Sequence, residues 1–531
     1  MVLHTVSRRF CQDNFFCKTS SKWLGYSVLP VKELSSSDYD GIVFVSHSCK
    51  EVTVPEPLRN AIKDAAGIDS YIHESVSVLK VDLPARRLVY SPTGPLNSDY
   101  HDVRSFGEAA KTGIKRALKS GVTKPLVALV SNSRFPKTKL VTLLGVMEGL
   151  YMNIQHREFC PNEFPKVKSL GVWSDDEATL EQLVETAKVL ECGRVVARDI
   201  GGADPERMNP PNVEQYVRQA FPASSGVKLE VVTDEDKLNN DYPLFAAVNR
   251  AASVIDRHKG RIIYLTYEGP DVQETLLIVG KGVTYDTGGA DIKTGGHMPG
   301  MSRDKCGAAA LAGFMKVLSY VKPPHLKVVG VMSMVRNSCG ENCYVADEII
   351  LSRAGVKVRV ENTDAEGRMI MADVLCHAKE MALNSVNPHL FTIATLTGHA
   401  ERTVGEGYTI GMDNGPARET DFAYKLQMQG EEIGDMLEVS RIRREDFSKH
   451  KATAEGEDVL QCHNTPPLSY RRGHQGPAAF LMLSSGLDKH GLDSEKPLRY
   501  THLDIAASHG EVPQIATGAP LLALANKYLQ L

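Results

Sequence analysis

Asp364 and Glu366 stand two residues apart in the run Val360-Glu361-Asn362-Thr363-Asp364-Ala365-Glu366-Gly367-Arg368, with a guanidinium two residues beyond. Carboxylates at that spacing, followed by a glycine that lets backbone approach closely, suit a hard or borderline divalent cation. A second set lies upstream, in Val279-Gly280-Lys281-Gly282-Val283-Thr284-Tyr285-Asp286-Thr287-Gly288-Gly289-Ala290-Asp291-Ile292-Lys293, and continues to Met301-Ser302-Arg303-Asp304. Its ionisable groups include Lys281, Asp286, Lys293 and Asp304, set among glycines that suggest tight backbone around a small ligand. Together the two sets offer four carboxylates and a lysine amine, enough donors for two adjacent metal ions. Paired metals activate a water and clamp both oxygens of a hydrolytic transition state.

The elements that must position these groups follow from the pattern around them. The β-branched run at 356–360 predicts a buried strand, and 369–383 predicts a helix, which puts Asp364 and Glu366 on a strand-to-helix loop of an open α/β sheet. The apolar run at 275–279 predicts a second strand with the upstream set at its carboxyl end. Earlier in the chain, strands are expected at 42–45, 126–130 and 168–173, alternating with helices at 103–118 and 140–154. Ser174 and Glu177 read as a capping box opening a helix whose apolar positions are Leu180, Leu183, Val184, Ala187 and Leu190. Gly201-Gly202 closes it; about 25 residues would span roughly 37 Å. The expected fold is therefore α/β in two domains. An α/β amino-terminal domain (1–173) is joined by a long helix (174–200) to a catalytic α/β domain (201–531) with a mixed central sheet.

Composition excludes several classes. The 531 residues carry a net charge of −4 at a pI near 6.5, so no basic surface argues for nucleic acid. Charged residues make up 24% with both signs interspersed, unlike a disordered tail, and no apolar run reaches the roughly 18 residues of a membrane span. The ten cysteines lack zinc-ribbon spacing, which favours reduced thiols and a cytoplasmic setting. Cys339 and Cys343, the closest pair, read as loop residues, and Cys306 as packing. The first 25 residues hold Arg8, Arg9, Lys18 and Lys22 against only Asp13, a bias shared by mitochondrial leaders, but without an amphipathic repeat.

The run Asn362-Thr363-Asp364-Ala365-Glu366-Gly367-Arg368 and the upstream spacing of Lys281, Asp286, Lys293 and Asp304 resemble the leucine aminopeptidase family, the cytosolic two-metal aminopeptidases. The resemblance covers roughly residue 195 to the end. It implies that Asp286 and Glu366 bridge two divalent ions, zinc with manganese possible at the exchangeable position. Lys281 and Asp304 would complete that position and Asp364 the tighter one. Lys281 could ligate only as a neutral amine, which requires a pKa well below about 10.4. Lys293 would stay charged and stabilise the oxyanion of the tetrahedral intermediate. Arg368, with backbone near Leu396 and Gly398, would cradle a bicarbonate serving as general base. The resemblance further implies peptide substrates and a homohexamer, with the Pro466-Pro467 segment a candidate subunit contact.

The same resemblance places Met301, Thr395, Gly398, Ala506 and His509 around the first side chain of the substrate. Met301 favours leucine and methionine, whereas His509 stands where relatives are apolar and predicts tolerance for polar or charged residues. The chain departs from the family pattern between Glu457 and Phe480, and at His399. Two other classes stay open on sequence: a catalytically weak scaffold or binding protein of the same fold, and another two-metal hydrolase such as a phosphatase or amidase.

Overall fold

A computed structural model describes residues 23–47, 54–462 and 471–529. The Pro466-Pro467 segment and the basic residues before position 23 lie outside them. The chain forms two units: Met1–Val195 with Glu432–Gly434, and Val196–Glu431 with Asp435–Leu531.

The first unit is built on a six-stranded sheet in the order Ser27–Pro30, Ser169–Ser174, Pro125–Leu129, Gly41–Ser46, Arg87–Pro92, Ser77–Lys80. All neighbours run parallel except the last pair. Gly41–Ser46 and Pro125–Leu129 are buried along their whole length, as strands covered on both faces must be. Helices Arg104–Lys119 and Thr138–Leu150 follow the predicted spans within a few residues. The helix Glu177–Gly202 has 26 residues, but Ser174 does not cap it. Asp176 does: its Oδ1 accepts the Ala178 N–H at 3.2 Å, while Ser174 Oγ accepts the Asp176 N–H at 3.1 Å in the preceding turn. A carboxylate one residue before the first helical position reaches the free N–H groups better than a serine three residues back.

The second unit holds an eight-stranded mixed sheet: Leu437–Arg441, Thr409–Asp413, Arg499–Asp504, Pro388–Ala394, Glu274–Asp286, Leu326–Asn337, Arg261–Glu268, Val227–Val232. Its four central strands, from Arg499–Asp504 to Leu326–Asn337, are mutually parallel, so their carboxyl ends share one edge. Side-chain alternation along Glu274–Asp286 assigns the two faces. Leu277, Val279 and Val283 pack into the core with Met369, Ile370 and Val374 of helix Glu366–Ala382. Gly280 faces the opposite way, where an added Cβ would meet Ala308 Cα at 2.6 Å. Helix Cys306–Val321 covers that second face, with Gly307 close against Ile393 O.

One expectation is corrected. The strand predicted at 356–360 is only Lys357–Arg359, and it belongs to a separate three-stranded sheet with Ile349–Leu351 and Val459–Leu460. Its β-branched residues reported burial, not membership of the central sheet. The strand predicted at 275–279 instead extends to Asp286, so Lys281 and Asp286 lie within it.

Candidate metal centre

Each of the four parallel central strands delivers polar groups to the same edge. Glu274–Asp286 contributes Lys281 and Asp286, and Leu326–Asn337 ends in Asn337. Pro388–Ala394 leads to Thr395, Leu396 and Thr397, and Arg499–Asp504 ends in Asp504. Asp304 enters just before helix Cys306–Val321, and Glu366 is the first residue of helix Glu366–Ala382. Ligands in open α/β sheets gather at such an edge.

Carboxylate oxygens of Asp286, Asp304 and Glu366, all buried, lie within 4.8 Å of one another. Two lysines thread between the acids. Lys281 Nζ is 2.7 Å from Asp304 Oδ1 and 2.9 Å from Glu366 Oε1, and it donates to Thr395 O at 3.0 Å. Lys293 Nζ is 2.9 Å from Asp286 Oδ2 and also pairs with Asp364, whose side chain is 34% exposed. Asp304 Oδ2 and Glu366 Oε2 are buried without a hydrogen-bond partner. Four carboxylates facing two ammonium groups leave two formal negative charges uncompensated, and the orphaned oxygens are those of the proposed ligands. A donor set of this kind fits divalent cations.

Electrostatics among the protein groups follow from the same crowding. Burial, then Asp286 and Glu366, push Asp364 up to about 7. Burial and the neighbouring acids also raise Asp304 and Glu366, against the pull of Lys281. Among the protein groups alone, the Lys281 amine is held charged. Burial lowers it, but Asp304, Glu366 and Asp286 together hold it above its ordinary value. Lys293 is likewise held charged: burial opposes this, and Asp286 and Asp364 override it.

Several buried groups that the sequence reading left out fix the ligands. Asn337 Nδ2 donates to Asp286 Oδ1 at 2.8 Å and to Thr363 O at 3.1 Å. Thr363 Oγ1 donates to Gly288 O at 2.6 Å, and Tyr344 OH to Thr363 O at 2.7 Å, tying the two sequence sets together. Gln461 clasps the signature loop: Oε1 accepts the Glu361 and Asn362 N–H groups at 3.0 Å, and Nε2 donates to Asn362 O at 2.9 Å. Its position inside the divergent 457–480 segment was the available signal. Gly367 is required by close approach, since an added Cβ would meet Lys281 Cε at 2.5 Å and Nζ at 2.7 Å.

Arg368 Nη1 donates to Gln461 O at 3.0 Å, while its Nε is buried without a partner, a fit for an anion. The Leu396 N–H donates to Asp504 Oδ1 at 3.2 Å. Asp504 also accepts from Thr397 Oγ1 at 2.8 Å and from Ala506 N at 3.1 Å. Thr395 Oγ1 donates to Asp304 Oδ1 at 2.8 Å, so its hydroxyl serves the carboxylate cluster. Gly398 opens the short helix Gly398–Val404. Met301 lies in the turn Met301–Arg303, half-buried, and His509 Nδ1 lies 2.9 Å from Ala506 O. The His399 ring lies against Gly473, where an added Cβ would meet Cγ at 2.2 Å. Cys306 is buried, with Sγ 3.8 Å from Gly201 O, and Cys339 and Cys343 are free thiols.

Comparison with known proteins gives three consistent findings. Residues 195–525 match the model of the cytosol aminopeptidase family, catalytic domain. A Caenorhabditis elegans protein named "Putative aminopeptidase W07G4.4" is 42% identical over 517 residues, covering 94% of this chain and 97% of that protein. Two solved structures share the fold. A tomato leucine aminopeptidase mutant superposes with a TM-score of 0.77 at 18% identity, covering 95% of this chain and 97% of that one. The bottromycin maturation enzyme BotP in complex with Mn gives 0.74 at 20% identity, covering 91% and 98%.

Proposed function

Because the chain belongs to the cytosol aminopeptidase family, we propose that it removes the first residue of peptides with two divalent ions held by Lys281, Asp286, Asp304, Asp364 and Glu366. The observation that carries this reading is the excess of buried carboxylates, with Asp304 Oδ2 and Glu366 Oε2 left without partners. Zinc or manganese bound there would supply Lewis acidity toward a peptide carbonyl and acidify water. Lys293 keeps its proton and places a fixed positive charge at the mouth of the cluster, where negative charge grows on the carbonyl oxygen. Arg368, whose Nε is unpaired, would hold a small anion such as bicarbonate, which would act as general base. Asn337 and Gln461 hold Asp286 and the signature loop in place. Asp504 orients the 395–397 turn.

Family membership also supports a homohexamer of roughly six 58.2 kDa chains and a cytosolic location. No helix of the described residues is long and apolar enough to cross a membrane. The decisive experiment compares unblocked and N-acetylated peptides after loading with manganese or zinc. The reading expects release of the first residue from unblocked peptides alone, lost on chelation. Equal cleavage of blocked peptides, or none of either after loading, would overturn it and leave the scaffold alternative.

A further inference from the structure

A side-chain cluster in the first unit combines three different kinds of metal ligand. Between helix Thr138–Leu150 and strand Ser169–Ser174, the short helix Ile154–Phe159 runs through Cys160 into the turn Pro161–Glu163. One ligand atom each from His156, Cys160 and Glu163 lies within 4.8 Å of the other two. His156 Nε2 is 2.9 Å from Glu163 Oε2, and Cys160 is a free, half-buried thiol. Backbone bonds fix the spacing. His156 and Cys160 are four residues apart, so their side chains leave one side of a helical turn. The Cys160 N–H closes that turn on His156 O at 2.8 Å, and Asn153 Oδ1 holds its start by accepting the His156 N–H at 2.7 Å. The Glu163 N–H donates to Cys160 O at 3.0 Å, so a second turn returns the carboxylate to the other two groups.

An exposed imidazole–carboxylate pair contributes little by itself, and it gives the thiol no role. The three donors together match an ion. Imidazole nitrogen, thiolate sulfur and carboxylate oxygen are the ligands of zinc, whose bonds of about 2.0–2.3 Å hold tetrahedral donors about 3.3–3.8 Å apart. The ion would take the place of the Nε2 proton between His156 and Glu163, leaving the imidazole neutral with its proton on Nδ1. The thiol proton would pass to water, so one thiolate and one carboxylate balance the double charge of the metal. We propose that His156, Cys160 and Glu163 form a separate zinc site, with its fourth position open to water. It differs in kind from the oxygen-rich cluster of the second unit, because a thiolate favours zinc or cobalt over manganese. It shares no ligand with that cluster and would bind zinc whether or not the chain is an aminopeptidase.

The test titrates cobalt into the full-length, reduced protein already loaded with manganese. Thiolate-to-cobalt charge transfer gives a near-ultraviolet band that oxygen and amine ligands cannot produce, so it reports this site even where cobalt also replaces manganese. The band is expected to saturate at one thiolate-bound cobalt per chain, and to be bleached by zinc but not by excess manganese. Cys160→Ser should remove it, and His156→Ala and Glu163→Gln should each weaken cobalt binding by about 10-fold or more. Zinc should also slow alkylation of Cys160 by iodoacetamide in the unaltered chain, read by peptide mass spectrometry, a measurement that needs no variant. Absence of the band, a band unchanged in Cys160→Ser, or alkylation of Cys160 at one rate with and without zinc would overturn the site. A band lost in Cys160→Ser but indifferent to both His156→Ala and Glu163→Gln would reduce it to a lone reactive thiol and overturn it equally.

Discussion

The two large sheets present carboxyl edges of the same construction and opposite chemical character. In the six-stranded sheet, the edge residue Asp175 is met by donors on every side. Its carboxylate accepts the Ser131 N–H at 2.8 Å and the Ser131 hydroxyl at 3.2 Å, and pairs with Lys139 at 3.0 Å. On strand Arg87–Pro92 of the same sheet, Ser91 gives its hydroxyl to Ala109 O at 2.7 Å. In the eight-stranded sheet, carboxylates outnumber cations and buried oxygens remain unpaired. Parallel strands supply the location in both cases, and only the imbalance of charge makes one of them a place for chemistry.

The largest effect should come from removing the load that this imbalance calls for. Exhaustive chelation is expected to abolish aminopeptidase activity, and manganese, zinc or cobalt to restore it. Full activity in a sample shown metal-free by elemental analysis would make the carboxylate excess a structural oddity. Next, Lys293→Ala should cut kcat about 10²- to 10³-fold with metal content near wild type, whereas Lys281→Ala should lower occupancy at one site. Equal metal loss in the two variants would erase the distinction between the lysines.

A smaller change is expected of Asp504→Asn, which keeps the shape but weakens the hold on the Leu396 and Thr397 turn. Activity should fall roughly 10-fold with little change in metal content. The second unit also buries an acid away from its edge. Asp373 accepts the Leu244 and Arg353 N–H groups, at 2.6 and 2.8 Å, and burial pushes it up to about 7 despite them. The folded state therefore binds more protons than the unfolded one between the ordinary value of 3.8 and about 7. The stability from this group is full below 3.8 and is lost as pH rises through 7. The melting-temperature difference between Asp373→Asn and wild type should shift in favour of the variant from pH 4 to 8; a flat difference would contradict it. Smallest for function is Asp175→Ala. It should cost about 1–2 kcal/mol of stability in the first unit, read by denaturant melts, with kcat/KM unchanged.

What the sequence disclosed follows from what sequence patterns encode. Four acids and two lysines at fixed spacings pointed to one cluster, and Asp286, Asp304 and Glu366 do converge. Alternation also located three of the six strands of the first unit, and its helices Arg104–Lys119 and Thr138–Leu150, within a few residues, but not the strands Ser27–Pro30, Ser77–Lys80 and Arg87–Pro92. Strand partnership was not legible: the β-branched 356–360 run looks the same in any sheet, and its neighbour is Val459–Leu460, about a hundred residues away. Asn337 was invisible for a related reason, and Gln461 was marked only by lying in the divergent 457–480 segment. An amide that satisfies backbone across such distances carries no local motif.

Gly367 carries a consequence for how this protein can change over time. Because any side chain there would collide with Lys281, the two sequence sets are bound as a single heritable unit. A lineage drifting toward a non-catalytic role could lose Lys281 first and then tolerate substitution at 367, but the reverse order would pass through a chain that disrupts its own centre. Both residues are present in this chain.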